Sequence, residues 1–251
     1  MGVDYQVWLI PEDRAFRPSA DKVANLANAL RDGGWVPPAS AEGQRSEILE
    51  LLPGGDLMRR KPAQVHSFTS EPFTAPWIEF HSQHELVLNW SVNDQRAAGV
   101  QYPFSFDPFP DPRMPPYFYV YLILGHDFFY YTGETVMPID EHATQCQCGE
   151  QLSFWTGSAH GAPSQRIFSR CPKCSQEFDP SGVSCDILDG WTGKGAPLPG
   201  GLTFRFGLVV NCHKYFPKEE EAARRFRLRP EFLDLWRMHV GVPFEQIETW
   251  D

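Results

Sequence analysis

Hydrophobic and polar positions along the first ninety residues predict a strand, one or two helices and further strands. Residues 5–10 form a short apolar run, as expected for a buried strand. Residues 19–32 place apolar side chains at helical spacing, and Ser19 is a suitable N-cap. Residues 45–52 predict a short second helix. Residues 78–90 alternate between apolar and polar positions, which indicates one or two half-buried strands.

Aromatic residues and prolines dominate residues 102–131, where twelve of thirty residues are Phe or Tyr. Prolines crowd residues 103–116, and because proline lacks a backbone donor and restricts the residue before it, this part predicts an extended loop. The rest predicts two strands, residues 117–124 and 128–132, joined by a hairpin turn at residues 125–127.

The last fifty residues predict one more strand and two helices. Residues 202–210 alternate strictly, which is typical of a strand with one core face. A charged helix is expected after Pro217, and a second one is expected to begin at Pro230. We therefore predict an α+β fold, in which a mixed or antiparallel sheet of about five to seven strands packs against N- and C-terminal helices.

Composition and charge exclude several classes of protein. The 251 residues are 42% hydrophobic and 22% charged, so a folded chain is expected and a mainly disordered one is not. The net charge of −10 disfavours general binding to nucleic acid. No apolar run approaches the roughly 18–20 residues of a membrane span, and no secretion signal is evident at the N-terminus. The expected location is the cytoplasm, and the excess of Arg over Lys favours a bacterial source.

Four of the six cysteines form two closely spaced pairs, Cys146 with Cys148 and Cys171 with Cys174. Such pairs in a chain without a secretion signal favour thiolates on a metal ion over disulfides. Four thiolate ligands satisfy a tetrahedral site completely, which makes the site structural and not catalytic. Gly149 follows the first pair, where a turn with positive φ would let backbone N–H groups face the sulfurs.

The cysteine segment, about residues 140–186, resembles a zinc ribbon. The second pair has the CPxC form of a ribbon knuckle, whereas the first pair is CxC. The resemblance implies two β-hairpins held by a structural Zn²⁺ ion, although four thiolates also accept iron. Residues 140–186 are then an inserted zinc-ribbon unit, and residues 1–139 and 187–251 form the α+β body. Phe154 and Phe178 follow the two pairs and could cover the metal.

Several other residues are candidates for chemistry. Cys185 and Cys212 are expected to be ordinary buried residues, although Cys212 with His213 could be a reactive pair. A catalytic site in the body would draw on the following residues: His81, His84, His126, Asp127 and His213.

The predicted function is protein binding without catalysis, as in an adaptor, an inhibitor or a toxin-neutralising protein. The aromatic and proline-rich residues 102–131 are the candidate surface for a protein partner. One alternative is an enzyme with a His/Asp site in the body. Another is nucleic-acid binding through a basic stripe on the ribbon, formed by Arg166, Arg170 and Lys173.

Overall fold

A computed structural model describes the chain in separate stretches. The described residues are 3–36, 49–51, 57–59, 78–81, 85–92, 100–105, 118–133, 135–155, 165–188, 194–215 and 227–250. They contain the two α-helices α1 (Ala20–Asp32) and α2 (Pro230–Val240). They also contain the strands β1 (Val3–Pro11), β2 (Leu49–Leu51), β3 (Leu57–Arg59), β4 (Ile78–His81), β5 (Glu85–Val92), β6 (Phe118–Tyr130), β7 (Ser153–Trp155), β8 (Gln165–Ile167), β9 (Ser184–Leu188), β10 (Gly195–Pro199), β11 (Thr203–Tyr215) and β12 (Phe244–Trp250).

Eight of these strands form one sheet in which the pairings are antiparallel. Six strands lie side by side in the order β12–β1–β11–β6–β5–β4, while β8 pairs with the end of β6 and β7 pairs with β8. The other described strands make two small antiparallel pairs, β9 with β10 and β2 with β3. A mostly antiparallel sheet with two helices places the chain in the α+β class, as the hydrophobic pattern predicted.

Strand β6 is continuous where the sequence predicted a hairpin. Residues 118–124 pair with β5, whereas residues 128–130 pair with β8. Opposite β11 the register shifts, so that residues 125–128 bulge across from the single residue Arg205. The predicted turn at residues 125–127 is therefore wrong, because β11 pairs with β6 on both sides of the bulge and keeps the chain in the sheet.

Gly125 makes this bulge possible by its lack of a side chain. A Cβ atom at this position would lie 2.4 Å from the ring of Phe129 and 2.5 Å from the carbonyl oxygen of Asp127. Both distances are too short for a real contact, so a larger residue would push the bulge apart. The tripeptide of residues 125–127, whose sequence resembles a turn, thus lies where β6 changes from pairing with β5 to pairing with β8.

The largest buried cluster joins both helices to one face of the sheet. Ser19 caps α1 by accepting a 3.4 Å hydrogen bond from the backbone N–H of Lys22, and Pro230 begins α2, as predicted. Trp236 of α2 stacks on Phe206 of β11 with 5.3 Å between ring centroids. The members contributed by the two helices are Val23, Leu26, Ala27, Leu30, Phe232, Trp236 and Val240.

A second buried cluster lies on the opposite face of the same strands. It contains Trp8 of β1, Tyr121 and Phe129 of β6, and Cys185 of β9. Successive side chains of β6 point alternately into the first and the second cluster, so nearly every side chain of this strand is buried or half-buried. Phe118, Tyr121, Phe128 and Phe129 of β6 are therefore core residues, whereas Tyr119 and Tyr130 are half-buried.

One predicted helix is a strand in the structure, and one strand was not predicted. Residues 49–51 form strand β2 within the segment 45–52, where the sequence predicted a helix. Phe244–Trp250 forms β12, which pairs with β1 at the end of the strand order. The charged helix expected after Pro217 and most of the loop expected at residues 103–116 lie outside the described residues. Neither α1 nor α2 combines the length and the hydrophobicity needed to cross a lipid bilayer.

Candidate metal centre

Two tight turns present the four paired cysteines. The first knuckle, residues 145–151, is closed by a β-bridge between its two end residues and by a 2.8 Å hydrogen bond from Cys146 N to Glu150 O. Gly149 has a φ of 85°, and its N–H donates to Cys146 O over 2.8 Å. The left-handed backbone predicted for Gly149 is thus confirmed, and it brings the N–H of Glu150 to the sulfur of Cys148.

The second knuckle, residues 170–177, repeats this plan with one more residue. Its end residues form a β-bridge, and Cys171 N donates to Gln176 O over 2.8 Å. Ser175 takes the place of the glycine with a φ of 62°, and its N–H donates to Cys171 O over 2.8 Å. The CxC and CxxC spacings therefore give equivalent turns, since the shorter knuckle closes one residue earlier.

The two knuckles face each other and bring all four sulfurs within 4.8 Å of one another. Two sulfur contacts join the knuckles: Cys146 Sγ lies 3.4 Å from Cys174 Sγ, and Cys148 Sγ lies 3.6 Å from Cys171 Sγ. Four sulfurs that are each about 2.3 Å from one zinc ion would be about 3.8 Å apart. The donor set and its spacing fit one tetrahedral metal ion bound by four thiolates.

The protonation of these thiols is uneven. Burial alone raises the pKa of Cys171. Hydrogen bonds from the backbone N–H groups of Cys174 and Lys173, together with hydrogen bonds to neighbouring thiols, outweigh burial and lower this pKa to about 7. The backbone N–H of Gln176 lowers the pKa of Cys174, whereas hydrogen bonds with the Cys146 and Cys171 thiols raise it to about 12. The closely spaced sulfurs thus retain protons between them, and a bound cation would replace those protons.

A small core attaches the knuckles to the sheet. It consists of Phe128, Cys146, Leu152, Ile167 and Cys171, with Tyr130 and Phe178 packed against it. Phe178 meets Phe128 edge to face at 5.4 Å and packs against the small core that contains Cys146 and Cys171. Phe154 instead stacks on Phe168 at 4.1 Å. We refer to residues 141–155 and 165–178 together as the cysteine lobe, and to the rest of the described chain as the sheet body.

Asp127 connects the cysteine lobe to the bulge of β6. The residue is 8% exposed, and Oδ1 accepts a 2.7 Å hydrogen bond from the backbone N–H of Ser169, just before the second knuckle. The sequence suggested catalysis or a simple polar turn for Asp127 and did not suggest this link. No local sequence pattern predicts this hydrogen bond, because Ser169 lies 42 residues from Asp127 along the chain.

Among the described candidates for chemistry, two cysteines lie in separate buried clusters, and His126 and His213 lie far apart. Cys185 and Cys212 are buried in the second and the first cluster of the sheet body. His213 lies on β11 just beyond Cys212, which pairs with Phe118, whereas His126 lies eight residues along β6 from Phe118. That separation is roughly 26 Å at 3.3 Å per residue. Of the other two histidines, His81 is described only as part of β4, and His84 lies outside the described residues.

The basic residues of the cysteine lobe do not form an open stripe. The guanidinium of Arg166 lies 3.6 Å from the centre of the Phe129 ring, and the residue is 7% exposed. Arg170 forms an ion pair with Glu177 across the second knuckle. Lys173 is exposed. Of the three residues expected to face a phosphate backbone, one is therefore buried and a second is neutralised by a carboxylate.

Within the described stretches, the four cysteines are the one group of three or more His, Cys, Asp or Glu residues that could hold a metal ion. Comparison of the chain with protein-family models, with curated proteins and with solved structures found no match.

Proposed function

We propose that this chain is a protein-binding protein whose cysteine lobe is a zinc ribbon, held together by one structural Zn²⁺ ion. The observation that carries the metal site is the set of four mutually adjacent sulfurs, two from each knuckle. Four thiolates leave no position for substrate or water, so the ion would hold the lobe together without catalysing a reaction. Backbone N–H groups directed at the sulfurs support the same role, because they stabilise ligating thiolates.

The distance between His126 and His213 supports binding over catalysis. His126 lies in the bulge of β6, His213 lies on β11 beyond the partner of Phe118 at the start of β6, and the carboxylate of Asp127 is committed to the Ser169 backbone. An acid–base pair needs its members within hydrogen-bond reach of one substrate atom. Adaptor, inhibitor and toxin-neutralising roles remain the proposed kinds of binding.

The burial of β6 narrows the proposed partner surface. Because Phe118, Tyr121, Phe128 and Phe129 are core residues, they are not available as anchors for a partner. Phe104 is fully buried as well. Contact through the aromatic segment would therefore fall on residues 106–117 and on its half-buried tyrosines, which are Tyr102, Tyr119, Tyr130 and Tyr131.

Metal analysis of the full chain, expressed without added metal, tests the metal site. We expect about one zinc ion per chain by inductively coupled plasma mass spectrometry, with iron as the alternative occupant. Cys146→Ser and Cys171→Ser should lose the ion. The matched control is Cys185→Ala, which also removes a buried thiol but lies outside the cluster and should retain it. Equal metal content in Cys171→Ser and wild type would contradict the proposed site.

A pull-down from native cells at physiological salt tests protein binding. Metal-loaded wild type and Met238→Ala serve as two baits, since Met238 is an exposed apolar residue outside the proposed partner surface. We expect one protein at stoichiometric yield with both baits, and loss of that protein when Phe106, Phe109 and Tyr117 are changed to Ser. If a folded, metal-loaded bait retains nothing, the protein-binding proposal fails.

A further inference from the structure

Each cross-knuckle sulfur contact joins one exposed cysteine to one buried cysteine. Cys148 and Cys174 are exposed, whereas Cys146 and Cys171 are buried. The exposed Cys148 lies 3.6 Å from the buried Cys171, and the exposed Cys174 lies 3.4 Å from the buried Cys146. An oxidant in solution can thus reach one sulfur of each contact pair, and the buried sulfur of the opposite knuckle lies next to it.

From this arrangement we propose that the metal centre is also a peroxide-reactive site, which exchanges its metal ion for two cross-knuckle disulfides, Cys148–Cys171 and Cys146–Cys174. The inference rests on the proposed function, because it takes the metal-loaded lobe as its starting state. Its ligand class is a small hydroperoxide such as hydrogen peroxide, which can approach the two exposed sulfurs without opening the fold.

The chemistry balances with two molecules of peroxide per site. An exposed thiolate attacks one oxygen of the peroxide, the O–O bond breaks, and a sulfenic acid and a hydroxide ion result. The buried thiolate of the same pair then attacks the sulfenic sulfur, forms the S–S bond and displaces a second hydroxide. When both pairs have reacted, four thiolates have become two disulfides, two peroxides have become four hydroxide ions, and the metal leaves as a dication without change of charge.

Cross-knuckle pairing has a structural consequence that pairing within a knuckle lacks. Both disulfides join residues 145–151 to residues 170–177, so the two turns stay together after the metal leaves. A disulfide between Cys146 and Cys148 would close a strained ring across one residue, and one between Cys171 and Cys174 would leave the knuckles free of each other. Reduction in the presence of zinc should therefore restore the site without refolding of the sheet body.

Trypsin can distinguish the two pairings, because it cleaves after Arg170 and Lys173 and so separates Cys171 from Cys174. Cys146 and Cys148 remain together on the peptide 114–166, while Cys171 lies on 171–173 and Cys174 on 174–194. The experiment is run on the full metal-loaded chain. A parallel run uses Cys185→Ala, because Cys185 shares the peptide 174–194.

Metal content is measured first, and hydrogen peroxide is then added at two equivalents per chain. We expect release of the bound zinc, linkage of 114–166 to both 171–173 and 174–194, and recovery of zinc binding after thiol reductant. Retention of zinc under these conditions overturns the inference and leaves the structural site intact. Linkage of 171–173 to 174–194 also overturns it. A chain that holds no metal before peroxide is added refutes the proposed function, and the inference with it.

Discussion

The sheet body and the cysteine lobe are held together by different means. Among the described residues, the largest cluster of the body has twenty-three buried residues from both helices and several strands. The small core at the lobe has five, of which two are cysteines and one, Phe128, belongs to β6 of the body. Apolar burial contributes about 1.5–3 kcal/mol for each large side chain, so the body can be stable through its packing alone. The lobe has too few such side chains, and under the proposed function it would depend on the bonds that four thiolates make to one metal ion.

Removal of the metal should produce the largest difference in stability between the cysteine lobe and the sheet body. Structural zinc in small thiolate sites contributes roughly 10–16 kcal/mol of apparent binding free energy, more than the small core of the lobe can replace. In Cys171→Ser, or after chelation, we expect amide protection to be lost in the two knuckles and kept in β1 and β11. Hydrogen exchange read by mass spectrometry measures both regions in one sample. Full protection of the knuckles in a metal-free chain would contradict the comparison.

Truncation of a core side chain in the sheet body should destabilise the body and leave metal binding by the cysteine lobe unchanged. Trp236→Ala removes a fully buried ring that stacks on Phe206, and such changes cost about 3–5 kcal/mol. We expect a lower midpoint of denaturant unfolding with the metal content of the folded chain unchanged. Met238→Ala, on the same helix but 78% exposed, is the matched control and should leave the midpoint within about 0.5 kcal/mol of wild type. Loss of metal from folded Trp236→Ala would show that the regions are not independent.

Removal of the hydrogen bond from Ser169 to Asp127 tests how much this contact contributes to joining the cysteine lobe to the sheet body. Asp127→Ala removes a buried charged acceptor and leaves the Ser169 N–H unpaired, at a cost of about 1–3 kcal/mol. We expect faster transfer of zinc to a competing chelator, while β1 and β11 keep their protection. Asp127→Asn retains an oxygen at this position and should restore most of the wild-type rate. Equal rates for alanine, asparagine and wild type would mean that the link contributes nothing.

The smallest expected effect lies at the start of α1. The Ser19 hydroxyl accepts a long hydrogen bond at an exposed helix end, so Ser19→Ala should destabilise the body by about 0.5–1 kcal/mol. Thermal unfolding of the body should shift downward slightly, whereas peroxide sensitivity and zinc content should not change. Ser19→Asp is the matched variant, because an aspartate side chain also caps the first turn and should retain stability.

Elements specified by local signals could be predicted from the sequence. Ser19 and the helical spacing after it identify α1, Pro230 identifies the start of α2, and Gly149 identifies the positive φ of the first knuckle. The four candidate ligands were also evident, because short cysteine pairs are themselves local. That these sulfurs meet in space required the structure, since the two knuckles are separated along the chain.

Elements specified by distant partners were missed. Residues 125–127 look like a turn, yet β11 on one edge and β5 and β8 on the other make them a bulge. Strand β12 lacks an apolar alternation, and its buried Thr249 is stabilised by accepting from Trp8 and donating to Gln6. No local sequence pattern predicts hydrogen-bond partners that lie this far apart along the chain. Ser175 is a similar case, since a serine with positive φ carries no signal of its own.

The position of β1 in the sheet has a consequence for biosynthesis. Its two neighbours, β11 and β12, both come from residues 203–250, and the hydrogen bond from Trp8 to Thr249 spans 241 residues of chain. At typical rates of translation, the ribosome adds the intervening segment in about 10–40 s, during which β1 has neither of these strands beside it. Strand β1 thus emerges well before both of the strands that pair with it, and we expect the nascent chain to present an apolar β-segment that chaperones can recognise.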